Sequence, residues 1–440
     1  MNSENKSFHN NIILYLSIIS SIIGAQRFTL PNIYAFACII PFILSIYLFT
    51  KNRSLCITLI IFSIFLSVDN SLSYSGTTGS IRYIIYLFGL FLISNSLKVD
   101  RKKLFQINSF IIILSFISLV NHELVKVELL KRDILISLLI ILVYTQAKSN
   151  FSQYKINFDF LNMLIVIFIL AEFINIVFFY NLSKEAYLSF DSTKSLITLP
   201  FFYYFSKKNY IKLIILILFL LPVILNYGTR MIPITLILCL VLYLIFNLSL
   251  NRILLISVFI IGISFSAFFN YESLNHLNYF NQFKLIGTFL QSSEAINITG
   301  FLKILDPVRY FENKLFFDRG YFSILFGNGI GSGIYDVNNL LGFVFSEQSA
   351  FSKEELKNNI FYNFHDSWVD IGLRFGLSFI IFFIYRFSCV LRINNSMIRT
   401  NSFMIIMLSF CAFFSTSGLI LISIFCLSLK EQSNKIVSIL

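Results

Sequence analysis

Apolar runs of about twenty residues, separated by short polar stretches, recur along most of the chain. A helix needs about 20 mostly apolar residues to cross a hydrocarbon core. The pattern predicts such spans near 11–26, 30–49, 54–70, 81–97, 104–120, 133–148, 160–180, 188–206, 210–226, 231–249 and 252–270. After a long polar region it resumes at 367–391 and 402–429. The last stretch is long for one crossing, and Ser415-Thr416-Ser417-Gly418 breaks it in the middle. Two short half-helices turning at that break are expected, a single long tilted helix being the alternative. The expected fold class is therefore all-α, a polytopic transmembrane helical bundle of about 12–14 spans with one large loop. Its organisation would be N-terminal transmembrane helices over 1–270 (about 11 spans), the loop over 271–366, and C-terminal helices with a short tail over 367–440.

The loop has a pattern of its own. Phe301, Ile304, Leu305, Val308, Phe311 and Leu315 recur at helical spacing, which predicts an amphipathic helix over 299–317. Pro307 would kink that helix or mark its first turn. The chain shows neither an internal repeat nor a low-complexity tract.

Composition agrees with the pattern. Of 440 residues, 57% are hydrophobic and 13% charged, with 53 Phe and a mean hydropathy of +0.79. Soluble domains sit nearer half apolar and a quarter charged, so a set of soluble domains is excluded. Lys6 ahead of the apolar stretch Ile12–Ile23 has the look of a signal peptide, but so many later spans favour an uncleaved first helix.

A net charge of +12 raises the question of nucleic acid, and the placement of the charges answers it. Basic residues stand in small groups between apolar runs, as topology signals do, and no long basic patch forms. With the N-terminus inside, the inner connections and termini carry eighteen Lys and Arg and the short outer loops carry eight. The positive-inside rule selects this orientation, which puts 271–366 outside. The six cysteines (Cys38, Cys56, Cys239, Cys389, Cys411 and Cys426) all lie in or beside apolar segments without CxxC spacing. No disulfide framework, metal site or cofactor is expected, and four scattered histidines support no zinc site.

Four motifs bear chemistry. Asn226-Tyr227-Gly228-Thr229-Arg230 is a very short outer connection, and an arginine there either faces an anion or wet cavity or snorkels to headgroups. Arg309, in Asp306-Pro307-Val308-Arg309-Tyr310-Phe311-Glu312, and Arg319, in Phe317-Asp318-Arg319-Gly320, each have acidic neighbours, so ion pairing competes with anion binding. Phe326-Gly327-Asn328-Gly329-Ile330-Gly331-Ser332-Gly333 has a superficial likeness to a nucleotide loop. It lacks the strand-then-helix setting and a following Lys-Ser/Thr, so its glycines are expected to serve a tight turn and close backbone approach. Finally, His365, Asp366, Asp370 and Arg374 gather where the chain returns to the apolar pattern, beside the only tryptophan, Trp368. Trp368 suits an interfacial anchor, and His365 either exchanges a proton near neutral pH or merely caps the helix.

Taken in order, a short loop ending in Arg, a long outer loop with Arg, Gly-x-Gly-x-Gly, His-Asp and then Gly372-x-x-x-Gly376 resemble the O-antigen polymerase and ligase superfamily, whose polymerases are called Wzy-type. The resemblance covers roughly 215–430; the N-terminal half contributes only hydropathy and span count. Two departures are visible, Thr229 where the family commonly has Ser and Asp366 where it often has Asn.

The resemblance implies an enzyme of the bacterial inner membrane, a glycosyltransferase that joins undecaprenyl-pyrophosphate-linked oligosaccharide repeat units on the periplasmic face. Arg230 and Arg309, with Arg319 and Arg82 in reserve, would bind pyrophosphate; His365 would be the base, oriented by Asp366. The transfer would be inverting and would need no metal. The expected partners are the lipid-linked oligosaccharides and the bilayer, with a chain-length regulator protein as a further candidate and no nucleic acid. An O-antigen ligase, passing finished glycan to lipid A core, is the nearest alternative. A lipid-linked oligosaccharide flippase is the alternative of another class; the single large loop and the lack of repeats weigh against it.

Overall fold

The computed structural model describes residues 3–26, 33, 36–67, 101–121, 156–178, 196–226, 307–341 and 353–387 (apart from 363, 365 and 366), with shorter stretches at 84–91 (apart from 86 and 90), 97–99, 124–138 (apart from 128, 132, 135 and 136) and 146–149. These residues are mostly helical. They fall into two compact units, one of Met1–Phe110, Leu135–Ile237 and Ile384–Leu440, the other of Ile111–Ile134 and Leu238–Phe383.

The first unit holds α1 (Ser3–Ala25), α2 (Ile39–Leu48), α3 (Arg53–Leu66), β1 (Leu97–Val99), β2 (Gln146–Ser149), α5 (Phe158–Phe178), α6 (Leu199–Ser206) and α7 (Tyr210–Asn226), with the first half of α4 (Arg101–Val120). α3 is apolar on every side and buried from Cys56 to Leu66, as a central helix must be. Asn52 caps it by accepting from the Leu55 N–H at 3.1 Å, which lets α2 and α3 form a tight hairpin. Small residues let the helices approach. A Cβ on Gly24 of α1 would lie 2.7 Å from Leu66 Cδ2. Buried hydroxyls then bond across helices: Ser21 Oγ donates to Leu164 O at 2.8 Å, and Ser63 Oγ to Cys38 O at 2.6 Å. Small residues and interhelical hydroxyl bonds are how helices associate where apolar burial alone gives little drive.

The helix borders follow proline. The pattern predicts an apolar segment over 30–49, of which α2 occupies ten residues with Pro41 in its first turn. In the segment predicted at 188–206, α6 begins only at Leu199 with Pro200 beside its start. Proline lacks a backbone donor and fits the opening turn, so in both places it sets where the helix begins. α7 spans the same residues, 210–226, that the hydrophobic run marks. One described helix, α5, is by itself long and apolar enough to cross a membrane; α1, α2, α3, α4, α6 and α7 supply shorter apolar stretches. The pairing of β1 with β2 is an addition to the all-α expectation. It is antiparallel, sets Lys98 opposite Lys148, and has an irregularity between Lys98 and Val99.

The second unit contains the rest of α4, the segment that follows it to Ile134, α8 (Pro307–Phe317), α9 (Tyr321–Phe326), β3 (Ile334–Tyr335), α10 (Lys353–Asn358), β4 (Ile360–Phe361) and most of α11 (Ser367–Phe387). α8 falls within the predicted helix 299–317, with Pro307 at its first described position; 299–306 lie outside the described residues. Leu315, Ile334, Leu341, Phe361 and Leu373 form a buried core against which Phe311, Leu356 and Phe364 pack. β3 and β4 pair antiparallel beside it. The polar region thus has a folded centre built on the returning helix.

Candidate functional site

The centre of the second unit is a crossing of two backbone segments. Leu325-Phe326-Gly327 passes over Arg374-Phe375-Gly376 with no room for side chains at either glycine. A Cβ on Gly327 would lie 2.2 Å from Arg374 O, and one on Gly376 would lie 2.1 Å from Leu325 O. Both glycines also have left-handed backbone, with φ of 78° and 79°, which other residues adopt only under strain. Gly376 interrupts α11, and the break turns carbonyls of the preceding turn outward. The glycine-rich loop satisfies them: the Asn328 N–H donates to Leu373 O at 2.7 Å and the Gly329 N–H to Arg374 O at 3.2 Å.

On its other side the loop is held by the segment after α4. Asn121 Nδ2 donates to Asn328 O at 3.1 Å, the Lys126 N–H to Gly331 O at 2.9 Å, and the Gly333 N–H to Leu124 O at 2.8 Å. The Gly331 N–H reaches Asp133 Oδ2 at 2.7 Å. The tight turn and close approach read from the glycine spacing are therefore present.

Arg374 closes the clamp from within. It is 1% exposed, with Nε 3.1 Å from Asp133 Oδ2 and Nη1 2.9 Å from Asp370 Oδ1. Nη1 also donates to Asp370 O at 2.8 Å, and Nη2 donates to Tyr362 O. One cation thus ties α11 to Tyr362, just after β4, and to the segment that carries Asp133. Its Nε meets Asp133 as an ion pair without a hydrogen bond among the described residues, so two carboxylates and two carbonyls hold this deep charge without matching every donor. Asp133 is the member that sequence reasoning missed, since nothing in Lys131-Arg132-Asp133 points to a partner so far along the chain. Asn328 was likewise passed over among its glycines.

Arg319 stands beside this clamp in a different condition. Its Nε donates to Phe316 O at 3.0 Å, its Nη1 donates to Asn328 Oδ1 at 3.2 Å, and its guanidinium lies 4.2 Å above the Phe316 ring. Its Nη2 is buried with no hydrogen-bond partner among the described residues. The neighbouring Asp318 makes no ion pair with it there. Burial pushes its pKa down to about 10, so the group remains cationic at neutral pH. Arg309 lies half-buried on α8, two turns before Phe316, where Asn313 Nδ2 donates to its carbonyl at 2.7 Å.

The structure therefore places two of the six residues singled out from sequence. Arg309 and Arg319 share α8 and its C-terminal turn, and Arg319 is fixed to the glycine-rich loop. Arg82, Arg230, His365 and Asp366 lie outside the described residues. Trp368, three positions after His365, packs edge-to-face on Phe316 at 5.1 Å and against Phe317 at 5.7 Å. The start of α11 is thus seated on the end of α8, directly beside the ring that carries Arg319. No family model, curated protein or solved structure matches the chain.

Proposed function

We propose that the chain is a membrane-embedded glycosyltransferase of the O-antigen polymerase type, joining undecaprenyl-pyrophosphate-linked oligosaccharides on the periplasmic face of a bacterial inner membrane. The observation that carries the reading is Arg319, a half-buried cation with one buried, unspent donor nitrogen, fixed to the glycine-rich loop in the second unit. An unmatched buried guanidinium donor is costly unless an anion completes it. Planar, paired donors suit phosphate oxygens.

In the proposed step the acceptor sugar's hydroxyl attacks the anomeric carbon of the donor chain. A new C–O bond forms, the bond to the pyrophosphate breaks, and the lipid pyrophosphate leaves with the bonding electrons. Arg319, Arg309, Arg230 and Arg82 supply the cations for the charge that develops on that leaving group. His365 takes the hydroxyl proton, with Asp366 holding it in place. Attack from the opposite face inverts the anomeric centre. The membrane setting is supported by the helices' outward faces: Ile211, Ile214 and Leu218 on α7 and Ile174, Val177 and Phe178 on α5 are all exposed. Continuous apolar stripes of this kind belong in lipid.

Deleting the gene and resolving the lipopolysaccharide on a gel tests the reading. Core bearing a single repeat is the expected pattern. Bare core would instead indicate a ligase, and unaltered long chains would remove the protein from this pathway.

A further inference from the structure

A cavity of about 420 Å³ opens between α5, α6 and α7 in the first unit. Asn162, Tyr203, Lys207 and Lys212 make its polar side. Asn162 is 4% exposed, and its Oδ1 has no hydrogen-bond partner among the described residues. A buried amide oxygen in a polar cavity calls for a donor from whatever occupies it. Lys207 donates to the Tyr203 hydroxyl at 2.7 Å and lies 3.4 Å from Asp159 Oδ1, to which Tyr203 also donates. Lys212 has no such neighbour among the described residues; only its backbone N–H is engaged, by Asn209 Oδ1 at 3.3 Å. Two lysines and one aspartate thus line the cavity, leaving it cationic.

Below the mouth the lining changes character. Met163, Val166 and Ile167 continue from Asp159 along one face of α5, at the three- and four-residue spacing that aligns side chains on a helix. α5 is the described helix long enough to cross a membrane. The cavity thus offers a cationic rim, a buried acceptor and an apolar stripe leading away from both, which together match an amphiphile with an anionic head.

We propose that this cavity binds an anionic glycerophospholipid, its phosphate at Lys207 and Lys212, a headgroup hydroxyl donating to Asn162, and its acyl chains along Met163, Val166 and Ile167. A zwitterionic lipid with an ammonium headgroup fits less well, because the second lysine repels that ammonium. The inference depends on the helices lying in a membrane and not on the glycan chemistry.

Full-length protein purified in detergent is offered phosphatidylglycerol or phosphatidylethanolamine, and retained lipid is counted by native mass spectrometry. Selective retention of phosphatidylglycerol is expected. Lys207→Gln and Lys212→Gln should each weaken it about fivefold. Asp159→Asn should strengthen it by removing the opposing charge, so a gain is available even where a lysine variant accumulates poorly. Equal retention of the two lipids, or no response to any of the three substitutions, overturns the proposal. Displacement by millimolar inorganic phosphate also overturns it, by showing a site for the free anion. Polymerisation in the same preparations is read separately: selective binding without polymerisation supports this site, and polymerisation without selective binding overturns this site alone.

Discussion

Arg374 and Arg319 lie in the same unit, a few residues from the same loop, and their surroundings ask different things of them. Arg374 is 1% exposed and paired with two carboxylates, so its charge is already balanced inside the fold. Removing one partner of a buried ion cluster costs about 3–5 kcal/mol. Arg374→Ala and Asp133→Ala should therefore lower the thermal midpoint and the amount of protein in the membrane, with loss of activity following from loss of fold. Arg319→Ala should behave oppositely, accumulating near normally while polymerisation fails, and Arg319→Lys should restore only part because it keeps the charge and loses the planar fork. Quantitative immunoblotting beside a lipopolysaccharide gel separates the two behaviours; an Arg319→Ala strain with full-length chains would rule out its contact with pyrophosphate. The same pair of assays applies to His365. If it removes the acceptor proton, His365→Ala should slow turnover by about 10²–10⁴-fold at unchanged protein level. Near-normal chain length from His365→Asn would instead mark it as a helix cap.

Among the elements, the crossing of the glycine-rich loop with the break in α11 leaves least freedom. Gly327→Ala and Gly376→Ala each place a methyl group within about 2.2 Å of a carbonyl oxygen and also strain the backbone. Either should lower the protein's thermal midpoint, while Gly320→Ala, where a Cβ meets nothing within 4 Å, should leave it unchanged. A scan of heat-induced loss of folded protein across the three variants checks this. How much of these elements the sequence discloses depends on the range of the interaction. The run at 210–226 is a helix because hydrophobic length is a local property, and 307–317 is a helix because its apolar spacing is local too. The glycine spacing announces a tight backbone, yet it does not say that Arg374 and Ser118 are what come close. The β1–β2 pairing and Asp133's bond to Arg374 join residues far apart in the chain, and no local pattern encodes such a partner. The same holds for Arg319, whose sequence neighbour Asp318 suggested an ion pair while its contacts are Asn328 and the ring of Phe316.

At the scale of the whole molecule, several contacts within each unit join segments that the positive-inside reading assigns to one side. β1 and β2 join connections that charge asymmetry assigns to one side, and Asp159, in the connection that β2 leads into, meets Lys207 in a third connection of that side. Separately, the connection at 121–126 bonds to the glycine-rich loop, and both are assigned to the opposite side. A periplasm-dependent phosphatase fused after Ser293 should accordingly be active, and activity there only from a cytoplasmic reporter would reverse the orientation. The most direct test of the function is reconstitution. Purified full-length protein in liposomes is given undecaprenyl-pyrophosphate-linked repeat units, and glycan length and released undecaprenyl pyrophosphate are measured together. The expected result is a ladder of lengthening chains, with one lipid pyrophosphate released for each unit joined and the release abolished by Arg319→Ala; single repeats that persist unjoined, with no lipid pyrophosphate released, would contradict it.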